Sequence, residues 1–359
     1  MRRNHKQNIP SQSVAAKSRA EQGVATATAT APLLLDEYIR RVVGSSSSSS
    51  SSTFPTQHRS SPAILERGRT NHVLLYNGCF NPPHRGHLAQ LVHALRHAGP
   101  GLNVVGAVVL VADDLYLKWK LAGQRGALSL RLRQRVRLWE EELALMAEEE
   151  GRRCWVLSET LWPGHADRLD RLFGEDGVDV EFVRLAGGDK VRVAAVEHGL
   201  WGCRSVITTD VSRPVDFYSS SSVGDVALSM PMPLPLSRHG EWKRVVVVGE
   251  RQGEDGRDEG VGSETLTTKS TVISSSSSSS TSTSVPQPSR NIWTCSHGHY
   301  NVRFVASSHD ERVDPDLSST KIRGIVAAAK KLDVDQLEEK LRGIALSPGL
   351  LARYIKEAR

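Results

Sequence analysis

The chain has 359 residues, 39% hydrophobic and 24% charged, with 46 basic against 40 acidic side chains, a net charge of +6 and a pI near 9.2. That length exceeds one small domain. The basic residues are interspersed with acids rather than gathered in a block, so a nucleic-acid partner is not expected, and the mild positive field suits a smaller anionic ligand. The longest nearly apolar stretch, residues 104–112, spans nine positions, where a membrane helix needs about twenty, so no membrane span is expected. Residues 1–6 are basic with no apolar stretch after them, so no signal peptide is expected. Cys79, Cys154, Cys203 and Cys295 lie far apart without a CxxC pair, which excludes a disulfide scaffold and a zinc ribbon and fits a reducing compartment. The expected location is intracellular, cytoplasmic or nuclear. The mitochondrion stays open, because the first thirty residues are basic with Glu21 as their single acid.

In chain order, residues 1–70 read as a mostly disordered segment, rich in Ser, Ala, Thr and Gln and holding the serine run 45–52. Inside it, Leu34, Leu35, Tyr38, Ile39 and Val42 recur at helical spacing and predict a short helix over 33–43 that docks on the core. Residues 71–359 read as one domain, interrupted at about 215–290 by a low-complexity insertion with a single strand at 244–248. Strands are predicted at 72–76, 104–112, 154–157, 180–185, 205–209 and 302–306. Helices are predicted at 87–97, 129–149 (with Ser129 as N-cap), 165–173, 191–198, 319–331, 334–342 and 348–357. This alternation predicts an α/β fold, a Rossmann-like parallel sheet with helices on both faces. A ligand then sits at the carboxyl ends of the strands, at the topological switch point.

The first strand runs into Gly78-Cys79-Phe80-Asn81-Pro82-Pro83-His84-Arg85-Gly86-His87, and a helix follows. The prolines stiffen the loop, and Gly86 allows a ligand close to the backbone. His84 and His87 stand three apart at a helix start, whose free amides and positive dipole end attract phosphate. Two imidazoles there can hydrogen-bond phosphate oxygens and stabilise charge growing in a transition state. A second motif, Leu317-Ser318-Ser319-Thr320-Lys321-Ile322-Arg323, offers a capped helix start with hydroxyls and a guanidinium on one face, a second phosphate cradle.

Together these motifs resemble the HxGH nucleotidyltransferase superfamily, and their wording is most similar to the nicotinamide/nicotinate mononucleotide adenylyltransferases. The resemblance implies transfer of AMP from ATP to a pyridine mononucleotide, with release of pyrophosphate and Mg²⁺ accompanying ATP. It implies catalytic roles for His84, His87 and Arg323. On the ATP side it places Gly78, Phe80, Gly86, Ser318, Ser319 and Thr320. With them it places Gly187 and Asp189, which end the fourth strand, and Arg213 beyond the fifth. On the mononucleotide side it places Cys79, Phe80, Lys118 and Trp162, the last as a stacking platform for which Trp155 is a rival. Related cytidylyltransferases usually carry Asp where Asn81 stands. Cys79 and Pro315 depart from the common pattern, which keeps open a nucleotide-binding or regulatory protein, or a weak ATPase, on the same fold. The acceptor, nicotinamide or nicotinate, and the oligomeric state are not legible.

Two further features receive ordinary readings. Cys295-Ser296-His297-Gly298-His299 has ligand-type residues but no fourth partner nearby, so no protein-held metal is expected there. The acidic stretch 140–150 reads as a solvated helix face.

Overall fold

The computed structural model describes residues 32–44, 63–124, 126–146, 153–191, 200–215, 217–218, 233, 240–245 and 291–358. Most of the N-terminal segment and of the insertion lie outside these, as do nearly all of the helix expected at 191–198 and the strand residues 246–248.

An eight-stranded sheet organises the domain. Its strands are β3 (Asn71–Gly78), β4 (Asn103–Val111), β5 (Cys154–Ser158), β6 (Val180–Gly187), β7 (Ser205–Thr209), β8 (Lys243–Arg244), β9 (Ile292–His297) and β10 (Tyr300–Val305). They stand in the order β5-β4-β3-β6-β7-β10-β9-β8. From β5 to β10 every pairing is parallel, and β9 and β8 add an antiparallel edge. The first strand of the sheet is thus central. The chain builds outward through β4 and β5, then returns to the other side of β3 as β6. That reversal between β3 and β6 is the topological switch point of a Rossmann-like α/β fold. The central strands read as unbroken apolar runs because both faces of a parallel sheet are covered; Val73, Leu74, Leu75 and residues 107–111 of β4 are all essentially inaccessible.

Helices α2 (Arg85–His97) and α4 (Leu132–Leu145) cover one face, where Leu91, Ala94, Trp139 and Leu143 pack on Leu74, Val109 and Val111. On the other face lie α1 (Leu35–Gly44) and α5 (Trp162–Glu175). The helix expected from the Leu35, Tyr38, Ile39, Val42 stripe is present, and those four residues are its buried face. Its Tyr38 hydroxyl donates to Asp176 Oδ2 at 2.6 Å, and Asp36 Oδ1 accepts from the Trp155 indole at 3.0 Å. A short antiparallel pair, β1 (Leu33–Leu34) with β2 (Ile64–Leu65), brackets the helix. After β4 comes α3 (Asp114–Lys120), capped by the Asp113 carboxylate, which accepts from the Tyr116 amide. Three C-terminal helices, α6 (Ser319–Ala328), α7 (Val334–Leu341) and α8 (Pro348–Glu357), share a core of their own that reaches Leu130 and Leu138. No described helix is long and apolar enough to cross a membrane.

The structure differs from expectation at three places. The helix expected from Ser129 starts at Leu132. The Asn81 side chain holds the preceding segment away from helix, donating to the Leu128 carbonyl at 2.7 Å and accepting from the Leu130 amide at 2.9 Å. The last strand acquires a partner, β9, and the Cys295–His299 motif is the end of that strand and its turn. Cys295 is buried, and burial pushes its thiol up to about 12, while His297 and His299 are exposed. Within the insertion, Phe217 and Trp242 stack at 5.3 Å and pack on Phe304, so these pieces belong to the core beside β10.

Candidate active site

A cavity of about 360 Å³ opens at the carboxyl ends of β3, β6 and β7. The two sequence motifs meet there. Although about 240 positions separate them in the chain, Ser319 Oγ donates to the Pro82 carbonyl at 2.8 Å and Arg323 Nη1 donates to the Asn81 carbonyl at 2.9 Å. Arg323 Nη2 also donates to Thr320 Oγ1 at 2.9 Å, the pairing that a three-residue helical spacing allows. Ser318 caps α6, its hydroxyl accepting from the Lys321 amide at 3.1 Å. Gly78, Cys79, Phe80, His84, His87, Gly187, Arg213, Ser318, Ser319, Thr320 and Arg323 all line this one cavity.

The local backbone explains the early motif. Phe80 has a φ of 45°, and its ring turns back over Gly78, where a Cβ would lie 2.9 Å from two ring carbons. Glycine is therefore required at 78 for the ring to fold in. Phe80 then meets His87 edge-on at 4.9 Å and Trp139 at 5.2 Å. Gly86 does not line the cavity. It lies under His84, where a Cβ would come within 3.1 Å of Nδ1. The loop is held from below by Arg135, which is fully buried. Its Nη1 donates to the Cys79 and Ala112 carbonyls at 2.8 and 2.7 Å, its Nε to the Leu130 carbonyl at 3.1 Å, and its Nη2 to Asp114 at 2.7 Å.

His84 and His87 stack at 3.6 Å with a 26° tilt. The His84 amide donates to His87 Nδ1 at 3.2 Å, so the neutral ring carries its proton on Nε2, the atom left to donate to a ligand. Burial holds the His84 imidazole down at about 3, with the Arg213 charge adding to the effect. Burial also places His87 well below the ordinary histidine range, helped by His84, Lys190, Arg213 and Lys120. Both rings are neutral at pH 7. The consequence for stability has a definite sign. The unfolded chain takes up these protons near pH 6.5 and the folded chain does not, so stability is full above that pH and falls below it, by about 1.4 kcal/mol per pH unit per ring. Denaturant unfolding compared at neutral and mildly acid pH is expected to show this loss, and His84→Gln to reduce it. An unchanged pH slope in the variant would exclude His84 as a source.

The charge around the cavity is one-sided. Lys120, Arg184, Lys190, Arg213 and Arg323 line it, and no carboxylate side chain does among the described residues. Burial lowers the pKa of both Arg184 and Arg323, the electrostatic cost of placing guanidinium groups where an anion would offset them. Lys120, Arg184, Lys190 and Gln90 were not singled out from sequence. Gln90 is buried, accepting from the Tyr76 hydroxyl and donating to the Ala186 carbonyl, which ties the floor of the cavity across β3 and β6.

Several expected residues stand elsewhere. Trp162 is fully buried against Phe182 in the core under α5, with no face open to a ligand. Its rival Trp155 is buried beside α1. Lys118 lines an adjoining, more open groove with Trp119 and Leu115, which meets the cavity at Leu121 and Gln124, because α3 turns its Lys120 rather than Lys118 toward the cavity. Asp189 lies in the turn Gly188–Lys190 after β6, and its side chain is outside the described residues. Glu142, read as part of a solvated acidic face, is buried. It pairs with Arg85 at 2.5 Å and accepts from the Ser347 amide at 2.9 Å, bracing the motif loop against the C-terminal helices. Glu140 and Glu141 are half-buried, and residues 147–150 of the acidic stretch lie outside the described residues.

Fold and site together define a Rossmann-like α/β protein with a cationic crevice at its switch point, suited to a phosphorylated ligand. No protein-family model and no curated protein matches the chain. Among solved structures it is similar to nicotinic acid mononucleotide adenylyltransferase of Plasmodium falciparum complexed with APC, at 10% identity and a TM-score of 0.27, over 39% of this chain and 63% of that one. The same enzyme complexed with NaAD matches at 10% identity and a TM-score of 0.26, over 39% and 64%. The chain thus spans less than two thirds of the length of these solved chains. At that distance, only its own side chains speak to its chemistry.

Proposed function

We propose that the protein is a nucleotidyltransferase that transfers AMP from ATP to the phosphate of nicotinamide or nicotinate mononucleotide. The observation that carries this reading is the convergence of two neutral, stacked imidazoles and five cationic side chains, including Arg323, on one cavity with no lining carboxylate among the described residues. In this reaction an oxygen of the acceptor phosphate attacks the α-phosphorus of ATP, and the bond to the bridging oxygen of pyrophosphate breaks. The acceptor is already ionised at neutral pH, so the chain needs neither a covalent nucleophile nor a strong base. It supplies positioning and charge stabilisation. His87 Nε2–H donates to the reacting phosphate, with His84 stacked behind it. Ser318, Ser319, Thr320 and Arg323 take the leaving pyrophosphate at the N-terminus of α6, with Arg213 adding its charge beside the imidazoles. Because no carboxylate lines the cavity among the described residues, Mg²⁺ would enter as MgATP, held by phosphate oxygens and water.

The test is a coupled assay for dinucleotide formation with ATP and each mononucleotide. Product with one or both supports the reading and identifies the acceptor. The buried positions of Trp155 and Trp162 favour a second reading, in which the same crevice serves another acceptor or binds nucleotide without this transfer, since neither tryptophan expected as a pyridine platform lines the cavity. Saturable ATP binding without dinucleotide would select it. Asn81 does not separate adenylyl from cytidylyl transfer, because its amide is spent on the 128–130 backbone and not on a base.

A further inference from the structure

Helix α2 opens with the paired imidazoles of the cavity and closes with a second pair. His93 and His97 lie one turn apart, and their rings stand 4.9 Å apart at 64°. A third side chain reaches them from the short turn His309–Glu311, which follows β10. Glu311 Oε1 lies 3.4 Å from His97 Nε2 and 3.9 Å from His93 Nδ1. Its other oxygen accepts from both the amide and the hydroxyl of Ser308, each at 2.9 Å, so the carboxylate is fixed with one oxygen facing the imidazoles. One ligand-type atom from each residue lies within 4.8 Å of the other two, the sole such grouping of three among the described residues. His93 is almost fully buried, and the Glu311 side chain is 26% exposed, so the cluster is set into the surface with one side open.

We propose that His93, His97 and Glu311 form a binding site for a divalent transition-metal ion of the zinc type, with water in the remaining position. Two histidines four apart on a helix can ligate one ion from the same face, and a carboxylate from elsewhere in the fold completes a His₂Glu set. Two nitrogens and one oxygen suit Zn²⁺ or Co²⁺, whereas Mg²⁺ and Ca²⁺ prefer oxygen alone. Bonds of about 2.0–2.2 Å in a tetrahedron place ligand atoms roughly 3.4 Å apart. The His97–Glu311 distance already matches that, and the His93–Glu311 distance of 3.9 Å lies a little beyond it. Ser308 is the outer partner that such a carboxylate ligand needs to hold its orientation.

The site has a mechanical consequence. The same loop is tied to the end of β7, where Asp210 accepts from the Ser307 amide and hydroxyl at 2.7 and 2.8 Å and pairs with Arg312 at 2.5 Å. An ion at Glu311 would fasten the segment leading into the Ser318–Arg323 motif to the helix that begins beside His84. The inference is independent of the proposed reaction, since its readout is metal binding and not turnover.

The experiment uses the full chain without an affinity tag, stripped with a chelator and titrated with Co²⁺. The expected result is intense visible ligand-field absorption of four-coordinate Co²⁺ that saturates at one ion per chain and is abolished by Zn²⁺. Ser308→Ala is expected to weaken binding about tenfold or more, as loss of an outer partner does. The double variant His97→Ala/Glu311→Gln is expected to abolish the signal, and His297→Ala/His299→Ala to leave it intact. Absence of saturable absorption in the wild-type chain overturns the proposal, whatever the variants do. So does undiminished absorption in the His97→Ala/Glu311→Gln chain.

Discussion

His87→Ala is expected to lower the rate of AMP transfer by two to three orders of magnitude while changing the KM for ATP only a few-fold. The ring is placed for a single task. Its Nδ1 is occupied by the His84 amide, its faces are held by His84 and Phe80, and burial keeps it neutral. What remains is one N–H donor, oriented before substrate arrives. Removing one donor of that kind from a site of developing charge typically costs about 10²–10³ in turnover. Binding suffers less, because the cations around the cavity hold the triphosphate in ground state and transition state alike. Single-turnover measurements with labelled ATP separate the two effects. A variant with wild-type turnover would remove His87 from the chemistry. The pH profile is a second check. A histidine that titrates well below 6.5 contributes no acid limb to kcat/KM between about pH 6 and 8, whereas an imidazolium catalyst would gain activity as the pH falls through 6.5.

Arg135→Met is expected to destabilise the fold by about 3–5 kcal/mol, a large part of the 5–15 kcal/mol typical of a whole domain. The substitution leaves the carbonyls of Cys79, Ala112 and Leu130 buried without their donor. Asp114 matters less, since it is 56% exposed and water can replace the guanidinium there. Arg135→Lys is expected to recover little, because a single ammonium cannot reach three carbonyls that a planar fork spans. Urea unfolding with a common m-value measures the difference. A loss below about 1 kcal/mol would mean that the loop of the early motif is held by something other than Arg135.

The site was legible in part because its chemistry is local. A strand, a proline-stiffened loop and a helix start carry Gly78 to His87 in ten consecutive positions, and Ser318 to Arg323 span a helix cap and little more than one turn, so spacing alone shows which groups can face a ligand. The supporting residues were hidden because their partners are distant in sequence. Arg135 reads as one of several arginines in α4. The available signal was its phase, since Leu138, Trp139 and Glu142 at three, four and seven positions on share its buried face. The same phase would have taken Glu142 off the solvated face. Lys120 and Lys118 differ by two positions on a short helix, and propensity does not tell which one points into the crevice.

Tryptophan shows the limit most clearly. Trp162 follows a strand end, where a ligand platform is reasonable, yet it also sits at the start of an amphipathic helix. In the folded chain the apolar area under α5 claims it, since burying so large a ring against Phe182 is worth more than leaving it at a polar rim. Sequence by itself determined the parallel sheet, the starts of the helices after position 319 and the two motifs at helix starts, because each follows from periodicity or from near neighbours in the chain. Tertiary structure alone decided that the motifs meet, that the paired histidines are neutral, that Lys120 rather than Lys118 lines the cavity, and that Trp155 and Trp162 belong to the core. Those outcomes depend on burial and on contacts between chain segments more than two hundred positions apart, which no local pattern encodes.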